Sequence, residues 1–364
     1  MQPRLPTSQR FIPIACALAA TAVALASGLH AALGQPSRQS RIEPLPQRLS
    51  ETGLFLAGST TEVDPRNRRF VPQYPLWTDG ATKRRWIRLP EGSAIDASDP
   101  DAWRFPVGTR LWKEFSFGER VETRYIERLQ DGSFRFATYL WSADGRDAQL
   151  QPSAEGTLIE TGAGQRHEVP RESDCRACHE GRPSRVLGFN ALQLSSDRDP
   201  NAPHRERVPE SAIDLAELVA RGMLRDVPEG ALQPPPRIRS ASPRERAALG
   251  YLYGNCSGCH NASSPIASLG LDLDQSVRAD ESSRALTSTV RVPSAFAIPS
   301  SAETLRIAPG HSEVSAVAYR MSSRFAATQM PPLGTRLVDD EALELVRNWI
   351  SNDLAEVKEE RETP

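Results

Sequence analysis

The chain has 364 residues, with 44 Lys and Arg against 46 Asp and Glu and a formal charge of −2, so it carries no basic footprint for nucleic acid. Its length suits two or three domains once an N-terminal leader is set aside. Thirty prolines impose many fixed, non-helical connections along it.

Residues 1–34 read as an export signal. Arg4 and Arg10 form a positive n-region, Phe11 to Leu33 is apolar and alanine-rich without a charged residue, and Ala31 to Gly34 offers small residues for cleavage. The run is also long enough for an uncleaved membrane anchor, but Pro13, Gly28 and few bulky residues favour removal. Cys16 sits too early for a lipoprotein signal. Removing 1–34 takes away Arg4 and Arg10 and no acid, moving the formal charge from −2 to about −4. No later stretch could span a membrane.

Residues 35–50 are polar and proline-bearing, and read as a linker. From 51 to 165 the pattern is β-rich. Lys83 to Leu89 is strand-like and stops at Pro90-Glu91-Gly92; Val121 to Leu129 and Phe134 to Trp141 flank Gln130-Asp131-Gly132 as a hairpin. Asp144-Gly145 continues the meander. Five of the six tryptophans (Trp77, Trp86, Trp103, Trp112, Trp141) fall here. They are expected in the core of an antiparallel β-sandwich-like domain, the alternative being an aromatic surface for a substrate or partner. Lys83, Arg84 and Arg85 read as a solvated strand edge or as a dock for an acidic redox partner.

Segment 166–236 contains Cys175-Arg176-Ala177-Cys178-His179. Little helical pattern precedes it; a short amphipathic helix around Ile213, Leu215, Leu218 and Val219 follows, and Pro234-Pro235-Pro236 closes the segment. Residues 237–356 open on a capping box, Ser242-Pro243-Arg244-Glu245, whose helix leads to Cys256-Ser257-Gly258-Cys259-His260. Asp339 or Asp340 caps a last helix with Ala342, Leu345, Val346, Trp349 and Ile350 on one face. Residues 357–364 are a polar tail. The whole reads as α+β and multidomain: a β-sandwich-like domain followed by a mainly α-helical region.

Both pentads have the form C-x-x-C-H, which reads as covalent attachment of a c-type haem. Two thiols bond the porphyrin edge, and the next residue's imidazole reaches the iron. With Cys16 removed, the mature chain keeps four cysteines, all in the pentads. Zinc ribbons pair their C-x-x-C motifs about 15–20 residues apart. Here Cys175 and Cys256 are 81 apart (256 − 175), and zinc gives no reason for His179 and His260. A thioredoxin-like motif needs a βαβ setting, and none is visible. The cofactors expected are therefore two covalent haems c. Export agrees, since c-type haem is attached outside the bacterial cytoplasm.

His179 and His260 give each iron one axial ligand. For the second haem, Met330 is the expected other ligand: Met330-Pro331-Pro332-Leu333-Gly334 is a proline-stiffened loop, and a thioether favours reduced iron. Met321 reads as core, and Arg320 as either a partner for a haem propionate or a surface residue. The first haem's sixth ligand stays open among Met223, His204, His167, His311 and an open site binding water or substrate.

The C-terminal part resembles the class I cytochrome c domain through Tyr251 to His260, Pro309 to Ser315, Met330 to Gly334 and the Trp349 helix. From Tyr74 to Trp349 the chain is similar to a family of uncharacterised bacterial di-haem c-type cytochromes with an N-terminal β domain, through Tyr74 to Gly80, Leu89 to Gly92 and Val186 to Leu194. The resemblance implies two covalent haems and export, and no known substrate. The leading expectation is a periplasmic di-haem cytochrome passing electrons between protein redox partners, without nucleic acid and without a membrane after cleavage. The alternatives are a di-haem peroxidase or oxidase with an open first haem, and a cytochrome subunit of a dehydrogenase with the β domain as binding module.

Overall fold

The computed structural model describes residues 43–356, apart from 153, 155, 162, 163, 279–282, 300 and 302. The expected export signal, the first residues of the linker and the polar tail lie outside the described residues. The fold is α+β, an antiparallel sheet followed by a region with several helices.

The strands are β1 (Arg68–Arg69), β2 (Thr82–Arg88), β3 (Ile95–Asp96), β4 (Arg110–Phe117), β5 (Glu119–Arg128), β6 (Phe134–Trp141) and β7 (Ala148–Leu150). Six of them form one sheet in the order β1-β2-β4-β5-β6-β7. Every neighbouring pair is antiparallel, as short sequential turns allow. Between β5 and β6 the expected turn forms: Gly132 takes φ +81, and the Asp131 carboxylate accepts from the Ser133 N–H at 2.9 Å. Gly118, at φ +84, turns β4 directly into β5.

Strand alternation gives this sheet two different faces. One carries Trp86, Trp112, Tyr125 and Tyr139 and packs under Leu49 and Leu54. The other carries Ile87, Leu111 and Phe136 and packs on Trp103, Phe189 and Leu218. The covering layers are irregular chain and short helices rather than a second large sheet. Four of the five tryptophans are core residues on these faces; Trp77 is not. Of the three consecutive cations at the start of β2, Arg84 sits outside beside Glu114, whereas Lys83 and Arg85 are buried at 7% and 4% exposure. The expected surface patch is thus reduced to one residue, because strand alternation turns Lys83 and Arg85 to the face opposite Arg84, where Arg85 pairs with Glu206.

Strand β8 (Thr157–Glu160) pairs with β9 (Arg166–Val169), which leads into helix α1 (Glu172–His179). Helix α2 (Leu215–Ala220) precedes β10 (Leu224–Arg225), which pairs in parallel with β3. Then come α3 (Pro243–Cys256), α4 (Arg284–Thr289), α5 (Ala316–Ser322) and α6 (Asp340–Asn348). At the start of α3 the Ser242 hydroxyl accepts from Glu245 N–H at 3.0 Å, and the Glu245 carboxylate accepts from Ala241 N–H and the Trp349 indole. Asp339 caps α6 through the Ala342 N–H. These helices share one core with Tyr74 and Leu192. Among the described residues, no helix is long and apolar enough to cross a membrane.

Candidate functional site

Each pentad ends a helix. Glu172, Arg176 and Glu180 form an i, i+4 ladder that holds α1 together, with Arg176 2.6 Å from Glu172. Only three helical residues precede Cys175, which explains the weak helical signal upstream. The second pentad begins where the long, largely buried α3 ends, at Cys256.

The two pentads meet. The Cys178 and Cys259 sulfurs are 3.9 Å apart, although 81 residues separate them in sequence. The loop after α1 is keyed into the second pentad. Arg182 donates to the Ser257 hydroxyl at 2.8 Å and is ion-paired with Asp274. A side chain at Gly181 would stand 3.2 Å from the Gly258 carbonyl oxygen, so glycine lets the two backbones touch.

Both pentads open into one largely apolar cavity, with about 1850 Å³ of atom-free space including its mouth. All six pentad Cys and His residues line it, with Met330 and Met321. The His179 Nδ1 donates to the Arg185 carbonyl at 2.7 Å, and Phe136 packs on the ring at 5.1 Å between centroids. That bond fixes one tautomer and leaves Nε2 as the free lone pair. Burial pushes the His179 pKa down to about 4 and lowers that of His260 as well, so both rings are neutral at pH 7.

The loop bearing Met330 is held at both ends. Met330 N–H donates to the Arg320 carbonyl at the end of α5, at 3.0 Å. Beyond Gly334, the buried Asp79 carboxylate accepts from the Arg336 and Leu337 N–H groups, each at 2.9 Å. Arg320 lines the cavity but spends its Nε on the Thr328 carbonyl.

Asp79 belongs to Tyr74-Pro75-Leu76-Trp77-Thr78-Asp79-Gly80, which lies along α3. Trp77 N–H donates to the Asn255 side chain at 2.7 Å, one residue before Cys256. A Cβ at Gly250 would fall 2.0 Å from the Tyr74 ring, and one at Gly254 would fall 2.6 Å from the Tyr74 carbonyl oxygen. Glycines four residues apart on α3 therefore admit this segment, and Leu76, Trp77 and Thr78 join the cavity wall. On sequence Trp77 groups with the other tryptophans; its place in the cavity wall follows from Tyr74 lying across Gly250 and Gly254.

The candidates for the first pentad's distal ligand lie elsewhere. His167 is fully buried with its Nε2 2.9 Å from Glu122. His204 sits 2.8 Å from Asp339 through Nε2. Met223 packs against the core between the sheet and α2. His311 is two-thirds exposed beside Glu313. None of the four lines the cavity. Among the described residues no cluster of three or more His, Cys, Asp or Glu side chains is arranged to hold a bare metal ion.

Comparison with protein-family models, curated proteins and solved structures returns no match for this chain.

Proposed function

We propose that the chain is an exported di-haem c-type cytochrome that carries electrons between periplasmic redox partners. The observation that carries this reading is one apolar cavity receiving both C-x-x-C-H motifs and Met330. Cys175, Cys178 and His179 would hold one haem, and Cys256, Cys259 and His260 the other. When bound, haem iron supplies a one-electron couple that the protein tunes through ligand, burial and hydrogen bonding.

The residues present fit that group. All four pentad cysteines are free thiols, none consumed by a disulfide. The His179 ring is oriented through Nδ1 and kept neutral by burial, the form that ligates iron. Met330, which lines the same cavity, would help hold the second haem, its loop tied to α5 and to Asp79. The helix leading into the second pentad, the Met330 loop and the packing of α6 against α3 also support the class I cytochrome c likeness of this part. The β sheet's part is to wall the first site: Phe136 packs on His179, and Arg124 and Ile126 face the same cavity.

A second reading has its own observation. Beyond the pentads, the imidazole and sulfur groups lining the cavity among the described residues are Met321 and Met330, both from the C-terminal helical part. With His167, His204 and Met223 engaged elsewhere, His179 would be the ligand that the described residues offer the first haem. That favours an open first haem, where a peroxide or another small oxidant would react. A cytochrome subunit of a dehydrogenase remains the third reading, with the sheet region as binding module.

The test is the oxidised holoprotein exported from a host that attaches haem c. Electron transfer expects a mass gain of two haems and two low-spin EPR signals unchanged by cyanide. One high-spin signal that shifts with cyanide would replace simple electron transfer by the open-site reading. A chain carrying no covalent haem would end both.

A further inference from the structure

We infer that Cys178 and Cys259 hold the two proposed haems corner to corner, so that the charge on one sets the potential of the other and the pair responds as a single redox unit. This rests on the two-haem reading and adds to it how the sites are coupled.

The argument begins at the sulfurs. They lie 3.9 Å apart. Each thioether would add one covalent bond of under about 2 Å, so the two attachment carbons lie within about 8 Å. No side chain intervenes, because Gly258, beside Cys259, faces Cys178 directly: a Cβ there would stand 3.7 Å from the Cys178 carbonyl oxygen and 3.8 Å from its Cβ. The Cys259 sulfur also lies 3.9 Å from the Ala177 carbonyl oxygen.

The contact is clamped. Arg182 bridges from the first pentad's loop to Ser257, inside the second pentad, and to Asp274. Its guanidinium also stacks 5.4 Å from the centre of the Tyr253 ring, and the Tyr253 hydroxyl accepts from the Asn190 amide at 2.7 Å. Gly181 against the Gly258 carbonyl leaves no slack between the backbones. Two hinged domains would vary their spacing; these bonds hold it.

The cavity wall is largely apolar, which lowers the local dielectric and strengthens the interaction of charges held there. Adding an electron at one site therefore weakens uptake at the other. In a medium of effective dielectric about 20, two unit charges about 10 Å apart interact strongly enough to change the binding of a second electron roughly tenfold. An electron moving between the sites oxidises one iron and reduces the other, so no further reactant is needed.

The test is a potentiometric titration of the full-length holoprotein, followed by EPR and optical spectra, with haem content measured on the same sample. The expected result is two haems whose signals do not titrate independently. Each site's signal changes as the other is reduced, and the interaction separates the two potentials by at least about 59 mV, the equivalent of tenfold. The Gly258→Leu variant, which pries the corner apart, should keep two haems and lose most of that interaction. Two haems titrating as independent one-electron centres in the wild-type chain would overturn the inference and leave the two-haem reading standing. A haem-free chain would remove that reading itself. The wild-type titration decides the matter even where Gly258→Leu fails to fold.

Discussion

At the scale of single residues, both histidines gain their chemical character from burial, and His179 also from a local carbonyl. Neutral at pH 7, His179 offers Nε2 because Nδ1 is spent on Arg185. Met330 takes its position from a loop pinned to α5 and Asp79. On the proposed reading, Met330→Ala removes the methionine–iron charge-transfer band and lowers one midpoint potential, since a thioether favours reduced iron. An unchanged band would end the assignment of Met330. The pentads could be read from sequence because each sets its residue types within five consecutive positions. The fates of His167 and His204 could not, because their partners Glu122 and Asp339 are distant in the chain.

At the scale of elements, α3 is a structural rod and a wall of the site together. Its N-terminal cap and amphipathic partner α6 were evident in the sequence from a capping box and a 3.6-residue period. Its glycine face was not, since a glycine pair acquires meaning only when something lies across it, here Tyr74. Gly250→Ala puts a methyl group on the Tyr74 ring and should destabilise the fold by about 1–3 kcal/mol, the usual cost of overpacking. Chemical denaturation of Gly250→Ala, Tyr74→Ala and the double variant checks this: the double variant should lose less than the sum of the single losses. Strict additivity would mean that the two residues do not touch. Cutting the opposite end of the same segment, Asp79→Ala leaves the Arg336 and Leu337 N–H groups without their acceptor. Proteolysis in the Met330 loop should then become faster, with the rest of the chain resisting as before.

At the scale of the whole molecule, the sheet face that turns toward the first pentad carries a row of cations. Arg85, Lys113 and Arg124 are direct cross-strand neighbours, with Lys83 next along β2. Glu206 pairs with Arg85 and Glu122 with Arg124, while the Lys113 ammonium lies over the Phe115 ring. Burial, helped by the charge of Arg85, brings the Lys83 pKa down from 10.5 to about 7. Between pH 7 and 10.5 the unfolded chain binds this proton and the folded chain does not, so stability rises with pH across that window. Below pH 7 both states are protonated and the penalty is complete. Lys83→Met should therefore stabilise the protein by a few kcal/mol at pH 7, with the gain shrinking toward pH 10. Thermal unfolding of both proteins across that range measures it, and a gain independent of pH would sink the explanation.

What the sequence determined by itself was chemistry set over short spans: the C-x-x-C-H pentads, the Asp131-Gly132 hairpin, the capping box of α3 and the apolar stripe of α6. Each depends on residues within one or two turns of chain, where spacing alone fixes geometry. Only the tertiary structure decided that the two pentads share one cavity with their sulfurs 3.9 Å apart, that Trp77 belongs to its wall, and that Lys83 and Arg85 face inward. Those facts depend on Arg182 reaching Asp274, Gly181 meeting Gly258 and Tyr74 lying across Gly250. Such contacts join residues tens to well over a hundred positions apart, and packing selects them among many pairings that local pattern leaves equally open.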